Sequence, residues 1–402
     1  MFSLRHAFVA LALAASVALG QPRIKPNYGI ENNIYPSWVL STATLNVDKL
    51  AEPDPTHFGD RMGLFGAEIT PDKPGQKVTV SFDATTVFPA ASLTVTLPEA
   101  GTKYVVAPKL KWNYEVLKRV TQSEPVDVTL RVKVGDGEEQ VFERTVQLCS
   151  RNICVAGVRD AETMEYTPIP FSWAGYVNED HPWVDGVLRA ALDTGIVTQF
   201  DGFQSNNPDK VLHQVYAIWN VLQQRNVQYS SITETASETH NVYSQHVRFI
   251  DESIEFAQAN CVDGSVAFAS LLRKIGLNPK LMLVPGHMYV CFDMAADGSS
   301  IYCLETTMLG HNSKARHTRE DIFGVEMFDQ RNFDAESWRT FEAATNHANA
   351  AYNAAITKFN NDPQYQVIDI KQMRLAGIRP IPYVKPEAAI AAPTAPVPAA
   401  GR

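Results

Sequence analysis

A chain of 402 residues, 45% hydrophobic and 20% charged, is long enough for two or three domains with their own cores and ordinary enough to be globular. A net charge of −9 with no basic run argues against nucleic acid or an anionic membrane surface as a partner. Acidity alone names no substrate.

In chain order, Arg5 and His6 precede an apolar run from Ala7 to Leu19, and Ala18 and Gly20 offer small residues for cleavage before Gln21. Residues 1–20 therefore read as a signal peptide, too short for a transmembrane helix, with an uncleaved anchor as the alternative. No later apolar run reaches spanning length. The mature protein is expected to be exported, periplasmic or secreted, with no membrane span.

After an extension over 21–50, residues 51–155 predict an antiparallel β-sandwich of immunoglobulin-like type. Val78, Val80 and Phe82 alternate in KVTVSFD. Val126, Val128, Leu130, Val132 and Val134 alternate in PVDVTLRVKV, and GDGE then turns into QVFERTVQL. SLTVTLP and KYVVAPKLKW supply further strands. This region holds no catalytic cluster and reads as a spacer or binding module.

A linker over 156–180 leads into residues 181–383, where the period becomes helical. Helices are predicted from Trp183 to Thr194, from Asp209 to Gln224 and from Cys261 to the stop at Gly276. Asn260 is a good N-cap for the third, and Asp263 falls at N3, where an acid suits the helix dipole. A strand PKLMLVPGHMYVCFD, a turn at ADGSS and a strand IYCLETT follow. A long helix from Ala335 to Phe359 and a strand near YQVIDI complete the α+β domain. The Ala/Pro-rich tail 384–402 is expected to be disordered.

Export gives the five cysteines meaning. Cys149 and Cys154 are close enough in sequence to close a small loop, and Cys291 and Cys303 face each other if their strands pair. That pairing leaves Cys261 as the odd thiol, with a reactive or intermolecular role. Cys261 also stands at a helix N-terminus, where unpaired N–H groups and the dipole favour thiolate and can hold an oxyanion. His287 on the next strand is a candidate general base, and Glu305 a candidate for orienting the imidazole. Residues 287, 289, 291 and 293 share one strand face, as do 303, 305 and 307. With Cys291 opposite Cys303, His287 lies diagonal to Glu305.

These residues resemble the transglutaminase-like superfamily of papain-type cysteine enzymes. The likeness rests on Gln245 to Phe249, NCVDGS from Asn260 to Ser265, LVPGHMYV from Leu283 to Val290, and ETT from Glu305 to Thr307. It covers Asp209 to Leu309, with a weaker continuation to Pro382. It implies an α+β core with the nucleophile's helix packed on an antiparallel sheet. Cys261 would be nucleophile, His287 base and Glu305 orienting acid, where many members carry Asp. Gln245 would be an oxyanion donor.

The expected function is thiol catalysis on peptide or side-chain amide bonds through an acyl-thioester, with hydrolysis favoured over cross-linking by analogy with bacterial members. The partner is a protein or peptide substrate, and no metal or organic cofactor is required. The alternative is a non-catalytic scaffold or binding protein that keeps the fold. A metal site using His311 and His317 lacks ligand spacing of the CxxC or HxxxH kind. His240 and His246 read as loop or surface residues.

Overall fold

The computed structural model describes residues 21–45, 47, 53–160, 162–230, 241–310 and 335–385. Residues 1–20, where a signal peptide is expected, His240, His311, His317 and the residues from 386 onward lie outside the described residues. The fold is α+β, with helices and sheets in comparable amounts. The chain divides into two compact units, one of Met1–Gly29, Glu52–Lys111 and Asp127–Arg144, the other of Ile30–Ala51, Trp112–Val126 and Thr145–Arg402.

The first unit is built from β1 (Arg23–Tyr28), β2 (His57–Gly59), β3 (Phe65–Thr70), β4 (Gln76–Phe82), β5 (Ala91–Leu97), β6 (Tyr104–Ala107) and most of β7 (Glu124–Val134) and β8 (Gln140–Leu148). One sheet runs β1-β3-β6-β2, and β8-β7-β4-β5 belong to another, whose fifth strand, beside β8, is Asn33–Ile34. The alternation read from the sequence buries Val78, Val80 and Phe82 of β4 beside Val132 and Leu130 of β7. Phe65 of the first sheet meets Phe82 of the second edge-on, and Phe88 closes the group. Each such side chain, once buried, contributes about 1.5–3 kcal/mol. Two pairings depart from the antiparallel expectation, because β2 runs parallel to β6 and Asn33–Ile34 runs parallel to β8. The segment 21–50, expected as an extension, supplies β1, which pairs with β3 along its whole length.

The second unit begins with pairing that local periodicity cannot reveal. Residues 156–180, expected as a linker, include most of β9 (Ile153–Arg159), together with β10 (Tyr166–Pro168) and a short helix, Pro170–Ala174. β9 is sandwiched between β10 and β11 (Val242–His246), a partner distant in sequence. Trp173 and Tyr176 are buried behind it. The helices α1 (Pro182–Asp193) and α2 (Pro208–Gln224) start on Pro at their first turn, with His181 and Asn207 as caps.

The remainder carries the residues of chemical interest. α3 (Ile250–Glu255) precedes α4 (Cys261–Lys274), which ends at Ile275, with Gly276 at φ 85° reversing the chain. β12 (Pro279–Val284), β13 (His287–Asp293) and β14 (Ile301–Leu304) follow. The single strand expected over 279–293 is a tight hairpin, because Pro285-Gly286 turns the chain and Gly286 takes φ 74°. α5 (Ala335–Ala355) stops short of the expected Phe359, as the β-branched pair Ile356-Thr357 gives way to a 3₁₀ turn, Lys358–Asn360. β15 (Gln366–Asp369) and α6 (Ile370–Ala376) complete the unit. The sheet order is β14-β13-β12-β15, antiparallel throughout. Ala348 of α5 packs with Met282, Tyr289, Cys291 and Cys303 in one core cluster. No helix among the described residues is long and apolar enough to cross a membrane.

Cys291 and Cys303 are register partners and are joined by a disulfide. Cys149 and Cys154, the other candidate pair, are free thiols. Their sulfurs face different partners, Asn33 Oδ1 at 3.8 Å and Ser172 Oγ at 3.4 Å. Burial pushes the Cys149 thiol up to about 12 and the Cys154 thiol higher still. Of the three free cysteines only Cys261 is not buried. Thiol titration of unreduced protein in denaturant should therefore count three groups, from Cys149, Cys154 and Cys261. Replacing Cys291 and Cys303 together by Ala should lower unfolding free energy by about 2–4 kcal/mol in urea titration. A count of five would contradict the Cys291–Cys303 disulfide, and a count of one would contradict free Cys149 and Cys154.

Candidate active site

Cys261 is the first residue of α4, and its immediate environment follows from Asn260 and Asp263. Asn260 Oδ1 accepts the N–H groups of Val262 and Asp263, each at 2.9 Å, while Asp263 Oδ2 accepts the N–H of Asn260 at 3.1 Å. This reciprocal capping box fixes the first turn. It also narrows the expectation that several helix N–H groups are open to an oxyanion. Those of Val262 and Asp263 are occupied, and that of Gly264 bonds to the Asn260 carbonyl. Among the described residues, the Cys261 N–H is the one left uncommitted in this turn.

His287 opens β13, and Glu305 lies one residue beyond the end of β14, capping the 3₁₀ turn Thr306–Met308. The register Cys291↔Cys303 and Val290↔Leu304 sets the two diagonal to each other, as the strand parity predicted. His287 Nε2–H donates to Glu305 Oε2 at 2.6 Å. The carboxylate is an acceptor only, so Nε2 carries a proton. The Cys261 side chain is the other group that favours the charged form of the ring. The imidazole is 34% exposed and the carboxylate 4%, so the ring is reachable while its acid partner is shielded.

Electrostatics favour a charged imidazole. The side chains of Cys261 and Glu305 outweigh the burial penalty and raise His287 to about 10. Burial opposes ionisation of Glu305, yet the bonds from His287 and Thr307 prevail and hold its carboxyl below the usual range. Thr307 donates both its N–H, at 3.0 Å, and its hydroxyl, at 2.7 Å, to Glu305 Oε1. One carboxylate oxygen is thus pinned by the turn and the other is aimed at the ring.

Further contacts hold these parts in place. Ser265 donates to the Cys261 carbonyl at 2.6 Å and approaches the Met288 carbonyl at 3.4 Å, tying α4 to β13. Gly264 lies against Thr306, where an added Cβ would come within 2.6 Å of the hydroxyl oxygen and 2.9 Å of Thr306 Cβ. Only a residue without a side chain allows this approach. The outer edge of β14 is occupied by α5. Asn349 Oδ1 accepts the Cys303 N–H at 3.1 Å and its Nδ2 reaches the Cys303 carbonyl at 3.4 Å, while Glu305 N–H donates to the Ala344 carbonyl at 3.2 Å. Ser265 and Thr307 stand within the NCVDGS and ETT motifs without a role read for them, and Asn349 carries no sequence signal.

Gln245, the candidate oxyanion donor, has no side-chain hydrogen bond to Cys261, His287 or Glu305 among the described residues. It lies on β11 opposite Cys154, half-buried, and its side chain makes no hydrogen bond among the described residues. His246 differs from the loop or surface position expected, being on β11 and half-buried, with burial pulling its pKa down. No group of three or more His, Cys, Asp or Glu side chains among the described residues is arranged to hold a metal ion. Neither the known protein-family models nor the curated protein sequences give a match to this chain.

Two outcomes follow from this geometry. By ¹⁵N NMR the His287 ring should remain protonated at neutral pH and lose its proton near pH 10. Glu305→Gln should move that midpoint down toward the ordinary 6.5. The stabilisation linked to this proton is full below pH 6.5 and is lost as pH rises through about 10. Gly264→Ala should displace Thr306 and loosen the His287–Glu305 bond, seen as a shifted His287 resonance and about 1–3 kcal/mol lower stability.

Proposed function

We propose that this protein is an exported cysteine-nucleophile enzyme that cleaves peptide or side-chain amide bonds through an acyl-thioester on Cys261. The observation that carries this reading is the 2.6 Å hydrogen bond from His287 to Glu305, with the half-buried Cys261 thiol on a helix N-terminus as the side chain that, with Glu305, favours the charged ring. In this reading the second unit is a transglutaminase-like α+β domain, and the first is a β-sandwich spacer or binding module. Export is supported by the leader pattern of residues 1–20 and by the Cys291–Cys303 disulfide, which needs an oxidising compartment.

The chemistry proceeds in two balanced steps. The Cys261 sulfur, its proton held by His287, attacks the amide carbonyl carbon, and the oxyanion is met by the Cys261 N–H. Collapse breaks the C–N bond as His287 gives its proton to the leaving amine, leaving a thioester. Water then attacks the thioester with His287 as base, which releases a carboxylic acid and restores the thiol. Glu305 keeps the ring in the productive tautomer and stabilises its charged form. Hydrolysis rather than cross-linking is the favoured outcome, since water needs no acceptor site.

Iodoacetamide labelling of the native protein, followed by peptide mass analysis, tests the assignment. Cys261 should label fast, with the rate falling about 100-fold in His287→Ala and about tenfold in Glu305→Gln. Labelling of native Cys261 no faster than in denatured protein, and unchanged in His287→Ala, rules the enzyme out in favour of a scaffold.

A further inference from the structure

The acyl-transfer chemistry above leaves unused a buried charge pair in the turn that carries the thiol. Asp263 is 0% exposed, and its carboxylate accepts three hydrogen bonds. Oδ1 takes the Arg248 N–H at 2.9 Å, while Oδ2 takes Arg248 Nη1 at 3.0 Å and the Asn260 N–H at 3.1 Å. Arg248 is 8% exposed and lies just beyond β11, so the pair joins the end of that strand to the first turn of α4. Asp263 thus braces the nucleophile's turn from below, through Asn260.

The brace has an electrostatic consequence. Asp263 follows Cys261 by two residues in the same helical turn. A buried carboxylate in this turn without a counter-charge would repel a negatively charged sulfur, and burial leaves that repulsion weakly screened. It also cancels the favourable helix dipole at this end. Among the described residues, Arg248 is the cation paired with Asp263. The other titratable groups do not substitute for it. His287 and Glu305 form their own pair, and burial favours the uncharged form of His246, which stands near both Asp263 and Arg248.

We propose that Arg248 is a positioning residue for Cys261. It neutralises Asp263 in place, so that the carboxylate can brace the first turn of α4 without its charge reaching the sulfur. The inference rests on the reading of Cys261 as the nucleophile. It separates two properties of Asp263, its hydrogen bonds and its charge, and assigns to Arg248 the task of keeping the first while removing the second. Loss of one partner of a buried pair leaves an uncompensated charge, whereas loss of both is tolerated far better.

That asymmetry supplies the experiment. Cys261 alkylation rates at pH 7 are compared in full-length wild type, Arg248→Met, Arg248→Lys, Asp263→Asn and the Arg248→Met/Asp263→Asn double variant. Thermal melts by circular dichroism establish which variants are folded. Arg248→Met should slow labelling at least tenfold, and Arg248→Lys should recover the rate to within about threefold of wild type. The double variant should return to within about threefold of wild type, because neither charge remains. Asp263→Asn should label at least as fast as wild type, and it carries the test alone if Arg248→Met does not fold. A folded double variant as slow as Arg248→Met, or an Asp263→Asn variant slowed tenfold, overturns the inference. Fast wild-type labelling unchanged in Arg248→Met overturns the inference and leaves the nucleophile standing. A wild-type Cys261 no faster than in denatured protein removes both.

Discussion

The antiparallel register of β13 against β14 is the constraint on which the candidate site depends. Because Cys291 stands opposite Cys303 and Val290 opposite Leu304, His287 and Glu305 fall diagonal to each other within reach of a 2.6 Å hydrogen bond. A slip of one residue would turn every side chain of β14 to the other face and separate the two. The register is held by a covalent link through the cysteine pair and by α5, whose Asn349 and Ala344 occupy the hydrogen-bonding edge of β14. An edge strand this short holds little by itself, so the helix that seals it also positions the carboxylate.

The sheet fixes the dyad, and α4 brings the thiol to it. Two devices allow the approach. The absence of a side chain at Gly264 lets the turn bearing Glu305 lie directly against the helix, and Ser265 bonds to carbonyls of both α4 and β13. The first turn is held from below by Asp263, itself held by Arg248. The result is a thiol on a rigid helix, an imidazole one-third exposed on a rigid strand, and a shielded acid between fixed donors. Such preorganisation is what nucleophilic catalysis requires, since misplacement by about 1 Å is costly in rate.

Much of this arrangement was legible in the sequence, for identifiable reasons. Asn260 with Asp263 is a local capping signal and located the start of α4 at Cys261. Strand parity related His287 to Glu305 without knowledge of the fold. What failed was non-local. β9, which runs into residues 156–180, pairs with β11, far along the chain, and β10 pairs only with β9 among the described residues, so the segment's composition reads as a linker. Cys149 and Cys154 are near in sequence, but the orientation of their side chains is set by a strand and by Ser172, and spacing cannot report it. The occupied N–H groups of Val262 and Asp263 follow from the same cap that marked the helix, and could have been anticipated. Pro285-Gly286 was likewise a turn signal in plain view.

The most direct measurement is acid-quench mass spectrometry of the protein mixed with a library of peptides bearing main-chain and glutamine side-chain amides. The expected result is a transient acyl adduct on the peptide containing Cys261, released by hydroxylamine as a thioester should be, and absent from Cys261→Ser protein treated alike. An adduct on any other residue, or amide turnover that persists in Cys261→Ser, would contradict the assignment of Cys261 as the nucleophile.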